Sequence, residues 1–500
     1  MPRTIGLSRP FARTALFTRL RRAAVAMAAV AGLAAASLTV AQPAAAMGSS
    51  NADAYRSINS TRHPDWMSMV NGNTWLAAMS IPGTHETMAI QDGVYVQTQE
   101  DHGTSGGSLA NQLERGIRAL DIRVRVIDNG FTIHHGSYYQ DAVFDDVLIR
   151  TRDFLSAHSG ETVLMRLHSE CAGGIKSCTD SPDTTAQGDR VRIFLDYVKK
   201  YPGLFYAPSV REAAPGAGYG TPTGVPRLKD VRGKIVLTNF EGPGGGDYGF
   251  GINGYNEHRE DHYDVSGAPE RWNYAKANLD KAAADTSGNM FVTYTSGTRI
   301  PALAPSDFAS GYLSDAGAGS RVEGVNSRLM KYLNSGGGNA DHIGVVMMDF
   351  PGWALIDDIV YRNPSQIWSA WQSSSSGSYC LDDYQSTFSP GARVSVWACN
   401  GGGAQQWTLI GNTIQIGSVS RPGGALCLDI SQGGTTNGAP VQLWGCNGGA
   451  NQQWTLNGKS QLVNPQSGRC LDIPGGRTDG TQLDIWDCVD GAKNEVWYHA

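Results

Sequence analysis

The sequence predicts two folded domains: an α/β domain built as a TIM-like β/α barrel over residues 51–365, then an all-β domain over residues 378–500. Three observations carry this. Short apolar runs alternate with helix-periodic segments through the first region, which points to parallel β/α units. About 300 residues of that alternation suit a barrel with insertions. A pattern of Cys, Leu, Asp, Trp and Gln then recurs three times near the C-terminus with Gly-rich turns between, as expected of a repeated unit of short strands. The 500-residue length allows two cores, and 41% apolar with 17% charged residues excludes a disordered chain.

The elements follow in order. Trp75–Ser80 reads as the first buried strand, with Ile81-Pro-Gly-Thr84 as the loop after it. Ile117–Val126 is the second strand and a short run from Phe131 the third. Asp141–His158 carries helical periodicity through Val143, Phe144, Val147, Leu148, Phe154 and Leu155, with Gly160 as a stop signal. Thr162–Leu167, Lys234–Thr238, Phe291–Thr295 and Ile343–Met348 are further buried strands. An open doubly wound sheet is the competing architecture, but no GxGxxG follows the first strand. Residues 366–377, which run into Gln372–Ser378 (QSSSSGS), read as a flexible linker.

Residues 1–46 read as a signal peptide. Arg13, Arg19, Arg21 and Arg22 precede the apolar stretch Ala23–Val40, and Ala44-Ala45-Ala46 offers a cleavage site. Arg21-Arg22 leaves both Sec and twin-arginine export open, and the protein is expected to be secreted. Eight Cys in an exported chain suggest disulfides, and spacing pairs Cys380–Cys399, Cys427–Cys446 and Cys470–Cys488. Cys171–Cys178 is a fourth, local pair, with free thiols or zinc ligands as its alternatives. Six Arg and no acid lie in the first 46 residues, so the remainder has 34 basic against 46 acidic residues, a net −12. That balance argues against a nucleic-acid partner.

Eight of the 12 Trp lie from Trp368 onward. The repeats read Cys380-Leu-Asp…Val-Trp-Ala-Cys399…Gln405-Gln-Trp407, Cys427-Leu-Asp…Leu-Trp-Gly-Cys446…Gln452-Gln-Trp454 and Cys470-Leu-Asp…Ile-Trp-Asp-Cys488…Glu495-Val-Trp497. This region resembles the ricin-type β-trefoil lectins. The resemblance implies core positions for Trp407, Trp454 and Trp497 and a carbohydrate site in the middle repeat formed by Asp429, Gln442, Trp444, Asn451 and Gln452. Asp accepts hydroxyl hydrogen bonds and Trp stacks on an apolar sugar face. Ser395 and Ala404 in the first repeat, and Asp484 and Glu495 in the third, depart from that pattern.

Polar residues cluster where the barrel strands end, the face on which barrel enzymes hold their chemistry. Ser80-Ile-Pro-Gly-Thr-His85-Glu86, Asp121-Ile-Arg123, His134-His135-Gly136 and Asp349 after Met347-Met348 bring together imidazoles, a guanidinium and carboxylates, a set suited to acid–base work on an anionic centre. With Gly116-Ile-Arg-Ala-Leu-Asp121 and Glu161-Thr-Val-Leu-Met165, these blocks resemble the bacterial phosphatidylinositol-specific phospholipase C family, in the same order along the chain over residues 70–365.

The resemblance implies cleavage of phosphatidylinositol to diacylglycerol and inositol 1,2-cyclic phosphate. It implies His85 as base, His135 as acid, Arg123 as phosphate cation, Asp349 as the partner of His85, Asp121 as the partner of Arg123, and Glu86 assisting the acid where the family commonly has Asp. His168 stands where the family has Lys, Asp261 and Tyr263 match head-group contacts, and the head-group Arg after the Lys234-Ile-Val-Leu strand is replaced by Thr238-Asn239-Phe240. Metal-dependent relatives carry a second carboxylate where this chain has Arg123, so no metal or other cofactor is expected. The expected partners are phosphatidylinositol at a membrane surface and a glycan on the trefoil, with the protein a monomer. The alternatives are a glycan-binding protein whose barrel is inactive or differently specific, a glycerophosphodiesterase, which would need a metal-binding carboxylate pair, and a glycosidase, which would need two carboxylates flanking a sugar bond.

Overall fold

The computed structural model describes residues 54–55, 58, 62–90, 105–170, 180, 187–210, 224–242, 247–252, 254–314, 320–334, 342–373, 377–416, 424–475 and 478–499. The expected signal peptide and the Cys171–Cys178 pair lie outside these residues.

The strands of the first domain are β1 (Ser80–Thr84), β2 (Ala119–Ile127), β3 (Gly130–His135), β4 (Tyr138–Val143), β5 (Val163–Ser169), β6 (Ile235–Glu241), β7 (Asp247–Gly251), β8 (Arg259–Glu260), β9 (Val292–Tyr294), β10 (Gly311–Leu313), β11 (Arg321–Glu323) and β12 (Gly344–Met348), with β10 and β11 a separate hairpin. Their main sheet runs β7-β6-β5-β2-β1-β12-β9-β8, parallel from β6 to β8 with β7 antiparallel at one edge. No backbone ladder joins β7 to β8 among the described residues, so the barrel is curled but open at one seam. Side chains cross that seam: Asn239 Nδ2 donates to Asn256 Oδ1 at 2.9 Å, and Arg259 on β8 pairs with Glu241 on β6. Helices such as Phe144–Ala157, Gln187–Lys200 and Ala268–Ala284 supply the connections.

Three readings of the sequence need correction. The first strand is Ser80–Thr84, not Trp75–Ser80, and Leu76–Ala78 is a 3₁₀ turn. Pro and Gly usually mark loops, but here they serve a buried strand. A Cβ on Gly83 would come within 2.6 Å of Met347 Sδ and 2.8 Å of Ala119 O, so only Gly lets β1 lie between β12 and β2. The helix expected from Asp141 begins at Phe144, because Tyr138–Val143 pairs with β3 as the second arm of a hairpin. The expected linker 366–377 is instead the opening of the second domain: Ile367–Ser373 is a strand whose ladder pairs it with Gly377–Asp383 and with Trp497–His499. Ile367 and Ser369 are buried while Trp368 and Ala370 are half-buried, an alternation of burial that the residue types do not signal.

The second domain shows its threefold origin in its core. Trp407, Trp454 and Trp497 are buried, and their indole N–H groups donate to the carbonyls of Leu381, Leu428 and Leu471 at 2.9, 3.0 and 2.9 Å. The disulfides Cys380–Cys399, Cys427–Cys446 and Cys470–Cys488 form as the spacing predicts. The domain meets the barrel beside the start of β1. Asn363 accepts from Ser80 N at 2.9 Å, while Ser365 bridges to Trp407 and Tyr361 stacks edge-on against His499 at 5.0 Å. The strand ends that carry the polar cluster lie at the opposite end of β1.

Candidate active site

Strand alternation builds the site. Asp121 and Arg123 lie two apart on β2 and face one side, as do Arg166 and His168 on β5. The parallel register places Asp121 beside Arg166, and one rung further Arg123, His168 and Glu241 in a row across β2, β5 and β6. His85 and Glu86 follow β1 and Asp349 follows β12. Glu86 and Phe350 adopt positive φ of 41° and 47°, so the chain turns sharply just past each strand, a strain found where a site over-determines the backbone.

His85 is held between an acid and a cation. Its Nδ1 lies 3.0 Å from Asp349 Oδ1, and its Nε2 lies 3.2 Å from Arg123 Nη2. A guanidinium can only donate, so in the neutral, base form of the ring Nε2 accepts and the Nδ1–H faces Asp349. Burial opposes an imidazolium, but Asp349 outweighs it and pushes His85 up to about 9, with Arg123 acting in the other direction. Burial raises the Asp349 carboxyl, and His85 opposes that rise.

Arg123 is the hub. Its Nε and Nη2 donate to Asp121 Oδ2 at 3.2 and 3.0 Å, and its Nη1 lies 3.4 Å from Glu170 Oε2 and 3.5 Å from Glu86 Oε1. Burial works against the charge on Asp121, yet Arg123 and then Arg166 hold its carboxyl well below the usual range. Glu86 spans the cluster: its Oε2 is 3.2 Å from His135 Nε2 and its Oε1 is 3.8 Å from His85 Nε2. One carboxylate thus touches both imidazoles and the guanidinium, the three groups a phosphodiester would need to meet. His134 points elsewhere, packs on the Tyr139 ring at 5.6 Å, and is pushed down to about 4 by burial and Arg125.

Tyr263 reaches the site, its ring 5.6 Å from that of His85, and Asp261 lies close enough to act on the buried Tyr294. His168 donates from Nδ1 to Glu241 Oε2 at 3.0 Å. Sequence reasoning missed Arg166, Glu170, Glu241 and Arg259. The signal for two of them was present, since Arg166, His168 and Glu170 alternate at the end of one strand and share its inner face. Burial pushes the Glu170 carboxyl up to about 7, helped by Glu86, and it accepts from Gly136 N of the His-His-Gly turn.

In the second domain, Gln442 Nε2 and Asn451 Nδ2 donate to the two oxygens of Asp429 at 3.0 and 2.7 Å, and Trp444, two residues beyond Gln442 on the same strand, is 45% exposed. Gln452 is a correction. It is fully buried and spends its amide on Asp429, Gly445 O and Asn447 N, so it fixes the pocket from behind and offers nothing to a ligand. The first repeat pairs Asp382 with Ser395, and the third pairs Asp472 with Asp484.

Comparison with known proteins agrees with both halves. Residues 79–180 match the phosphatidylinositol-specific phospholipase C X domain, and residues 371–497 match the ricin-type β-trefoil lectin domain. The X-domain match spans His85, Glu86, Asp121, Arg123, His135 and His168. A 1-phosphatidylinositol phosphodiesterase of Listeria monocytogenes is 28% identical over 313 residues, 61% of this chain and 86% of that protein. The solved phosphatidylinositol-specific phospholipase C from Listeria monocytogenes is 24% identical, covering 61% of this chain and 99% of its own, with a TM-score of 0.44. The lectin domain is similar to ThreeFoil, a designed threefold-symmetric protein, at 28% identity over 26% of this chain and 94% of that one, with a TM-score of 0.22.

Proposed function

We propose that the protein is a secreted phosphatidylinositol-specific phospholipase C that works as a monomer, with its lectin domain holding it at glycan-bearing material. The observation that carries this reading is the single constellation in which Arg123 and the imidazoles of His85 and His135 surround one carboxylate, Glu86. A phosphodiester that replaces the Oε1 contacts meets His85 and Arg123, while Oε2 stays beside His135. The three disulfides of the trefoil and the Arg-then-apolar N-terminal pattern support export.

The chemistry follows from the positions. The anionic oxygens draw the Arg123 fork, which frees Nε2 of His85. That nitrogen, made more basic by Asp349, takes the proton of the inositol 2-hydroxyl. The hydroxyl oxygen attacks phosphorus, and the bond to the glycerol oxygen breaks. His135, kept beside the carboxylate of Glu86, gives its proton to the departing oxygen. Diacylglycerol leaves and a five-membered cyclic phosphate remains. Proton transfers of this kind contribute roughly 10²–10⁴-fold each. Arg123 sits among Asp121, Glu86 and Glu170, where it supplies the positive charge the reaction needs and where a divalent ion would meet a fixed guanidinium. Activity should therefore survive EDTA.

Phosphorus NMR of the products from phosphatidylinositol vesicles is the direct test. A cyclic phosphate resonance that precedes any monoester is the expected result. Release of the monoester alone would reject intramolecular attack, and loss of activity in EDTA restored by calcium would reject the role given to Arg123.

A further inference from the structure

We propose that Arg259, fixed by Glu241, reads the ring hydroxyls of the head group and sets specificity at its far end; this rests on the phospholipase reading above. The sequence offers no cation on β6, where the strand ends Thr238-Asn239-Phe240-Glu241. The fold supplies one from the other edge of the open sheet. Arg259 on β8 reaches across the seam to Glu241 Oε1, and its side chain keeps 22% of its surface exposed.

Position makes the pair more than a closing clasp. Arg123, His168 and Glu241 occupy one rung of three adjacent parallel strands and face the same side. Neighbouring strands are about 4.8 Å apart, so Arg123 and Glu241 are separated by roughly 10 Å along the rung. A six-membered polyol ring and its phosphate are of similar length. With phosphate on Arg123, the ring extends over His168 toward Glu241 and Arg259.

The groups along that path are matched to neutral hydroxyls. Glu241 is a carboxylate held by Arg166 at 2.5 Å, by His168 at 3.0 Å, by Asn239 at 2.8 Å and by Arg259. Because it accepts the Nδ1–H of His168, the Nε2 of that ring is left as a lone-pair acceptor for a hydroxyl. Burial and Arg123 push His168 down to about 4, so it stays neutral at physiological pH. Arg259 adds N–H donors at the far end of the path. An acceptor and then a donor fork suit adjacent hydroxyls of a cyclitol. The buried Arg166 connects this end to the phosphate end, since it also donates to Asp121 Oδ1 at 3.2 Å.

The test compares soluble chromogenic phosphodiesters of myo-inositol with a series of esters each lacking one ring hydroxyl distant from phosphorus, on the full chain, Arg259→Met and Arg259→Lys. In the wild type at least one deoxy ester should lose roughly 10- to 100-fold in kcat/KM, the range for a hydrogen bond to a charged group. In Arg259→Met that same ester and its parent should turn over at nearly equal rates. Arg259→Lys should restore part of the difference. The penalty is a ratio within one variant, so a reduced fraction of folded protein cancels from it. A ratio unchanged in Arg259→Met would overturn the assignment and leave Arg259 as a clasp across the seam. Failure of the wild type to cyclise the parent ester would instead remove the phospholipase reading on which it stands.

Discussion

The barrel rim and the middle trefoil pocket each place a buried carboxylate at the base of a site, and they fix it by opposite means. Asp121 lies between two guanidiniums, Arg123 and Arg166, and is held ionised by full charges. Asp429 accepts from three neutral amides, those of Gln442, Asn451 and Gln452. The first arrangement fixes a guanidinium fork that an anionic ligand can share, and the second leaves lone pairs for a neutral hydroxyl. They differ equally in reach. The His85–Asp349 pair joins residues 264 apart in sequence, whereas the whole middle pocket lies between Asp429 and Gln452.

The sharpest way to separate the two regions is to remove one key residue from each. His85→Ala should lower turnover of a soluble inositol phosphodiester by about 10³-fold or more, since it removes the base. The same protein should retain full binding on a glycan array. Asp429→Ala should do the reverse, abolishing glycan capture while kcat on the soluble ester stays within about twofold of wild type, as expected of distant sites. Reciprocal loss in either variant would show that the sites are coupled and break the comparison.

This contrast also explains what was legible in the sequence. In the middle repeat Asp429, Gln442 and Asn451 meet because they lie within one short local pattern, and only the inward turn of Gln452 was not legible from it. At the rim, the residues that end short motifs were legible: His85, Asp121, Arg123, His135 and Asp349 converge as expected. Arg166, Glu241 and Arg259 were not, because what makes them matter is register between strands distant in sequence. His168↔Glu241 is a pairing across about 70 residues, and Arg259 joins only because the sheet curls until its edges meet. The displaced first strand has the same origin. Pro82 and Gly83 signal a loop locally, and only the closeness of Ala119 and Met347 turns them into a strand requirement.

Smaller changes sharpen the rim's side of the contrast. Arg123→Lys keeps the charge but loses the fork to Asp121 and to phosphate, so kcat/KM should fall by roughly 10²-fold with little change in stability, measured by initial rates beside a thermal melt. Asp349→Asn removes the main influence that raises His85, and burial then pulls that imidazole down from about 9. The acidic limb of the pH–rate profile should move at least one unit lower while the maximum rate falls by about 10²-fold, because the ring also loses its orienting acceptor. An acidic limb that stays in place would mean that Asp349 does not set the basicity of His85.

The smallest effect lies in the third repeat, where the two strategies meet. Asp472 and Asp484 stand opposite each other at the positions of Asp429 and Gln442, so a carboxyl replaces the amide donor. Burial, then the neighbouring Asp472, pushes Asp484 up to about 7 from an ordinary 3.8. Burial also raises Asp472, while the amide of Asn494 opposes that rise. Glu495 on the adjoining turn is itself raised by burial and by Asp472. Protonated, Asp484 can donate to Asp472 as Gln442 donates to Asp429. The folded state holds this proton where the unfolded chain has already released it, so the contribution is complete below about pH 4 and is lost as pH rises to about 7. Asp484 is only half-buried, which limits the effect to roughly 2–4 °C in the melting of the trefoil between pH 5 and pH 8. Asp484→Asn should flatten that difference by supplying a donor that cannot ionise, as Gln442 does. Calorimetry at the two pH values decides it: an Asn variant with the same pH dependence as the wild type would place the sensitivity elsewhere, with Asp382 of the first repeat, raised by burial to about 6, as the next carboxyl to replace.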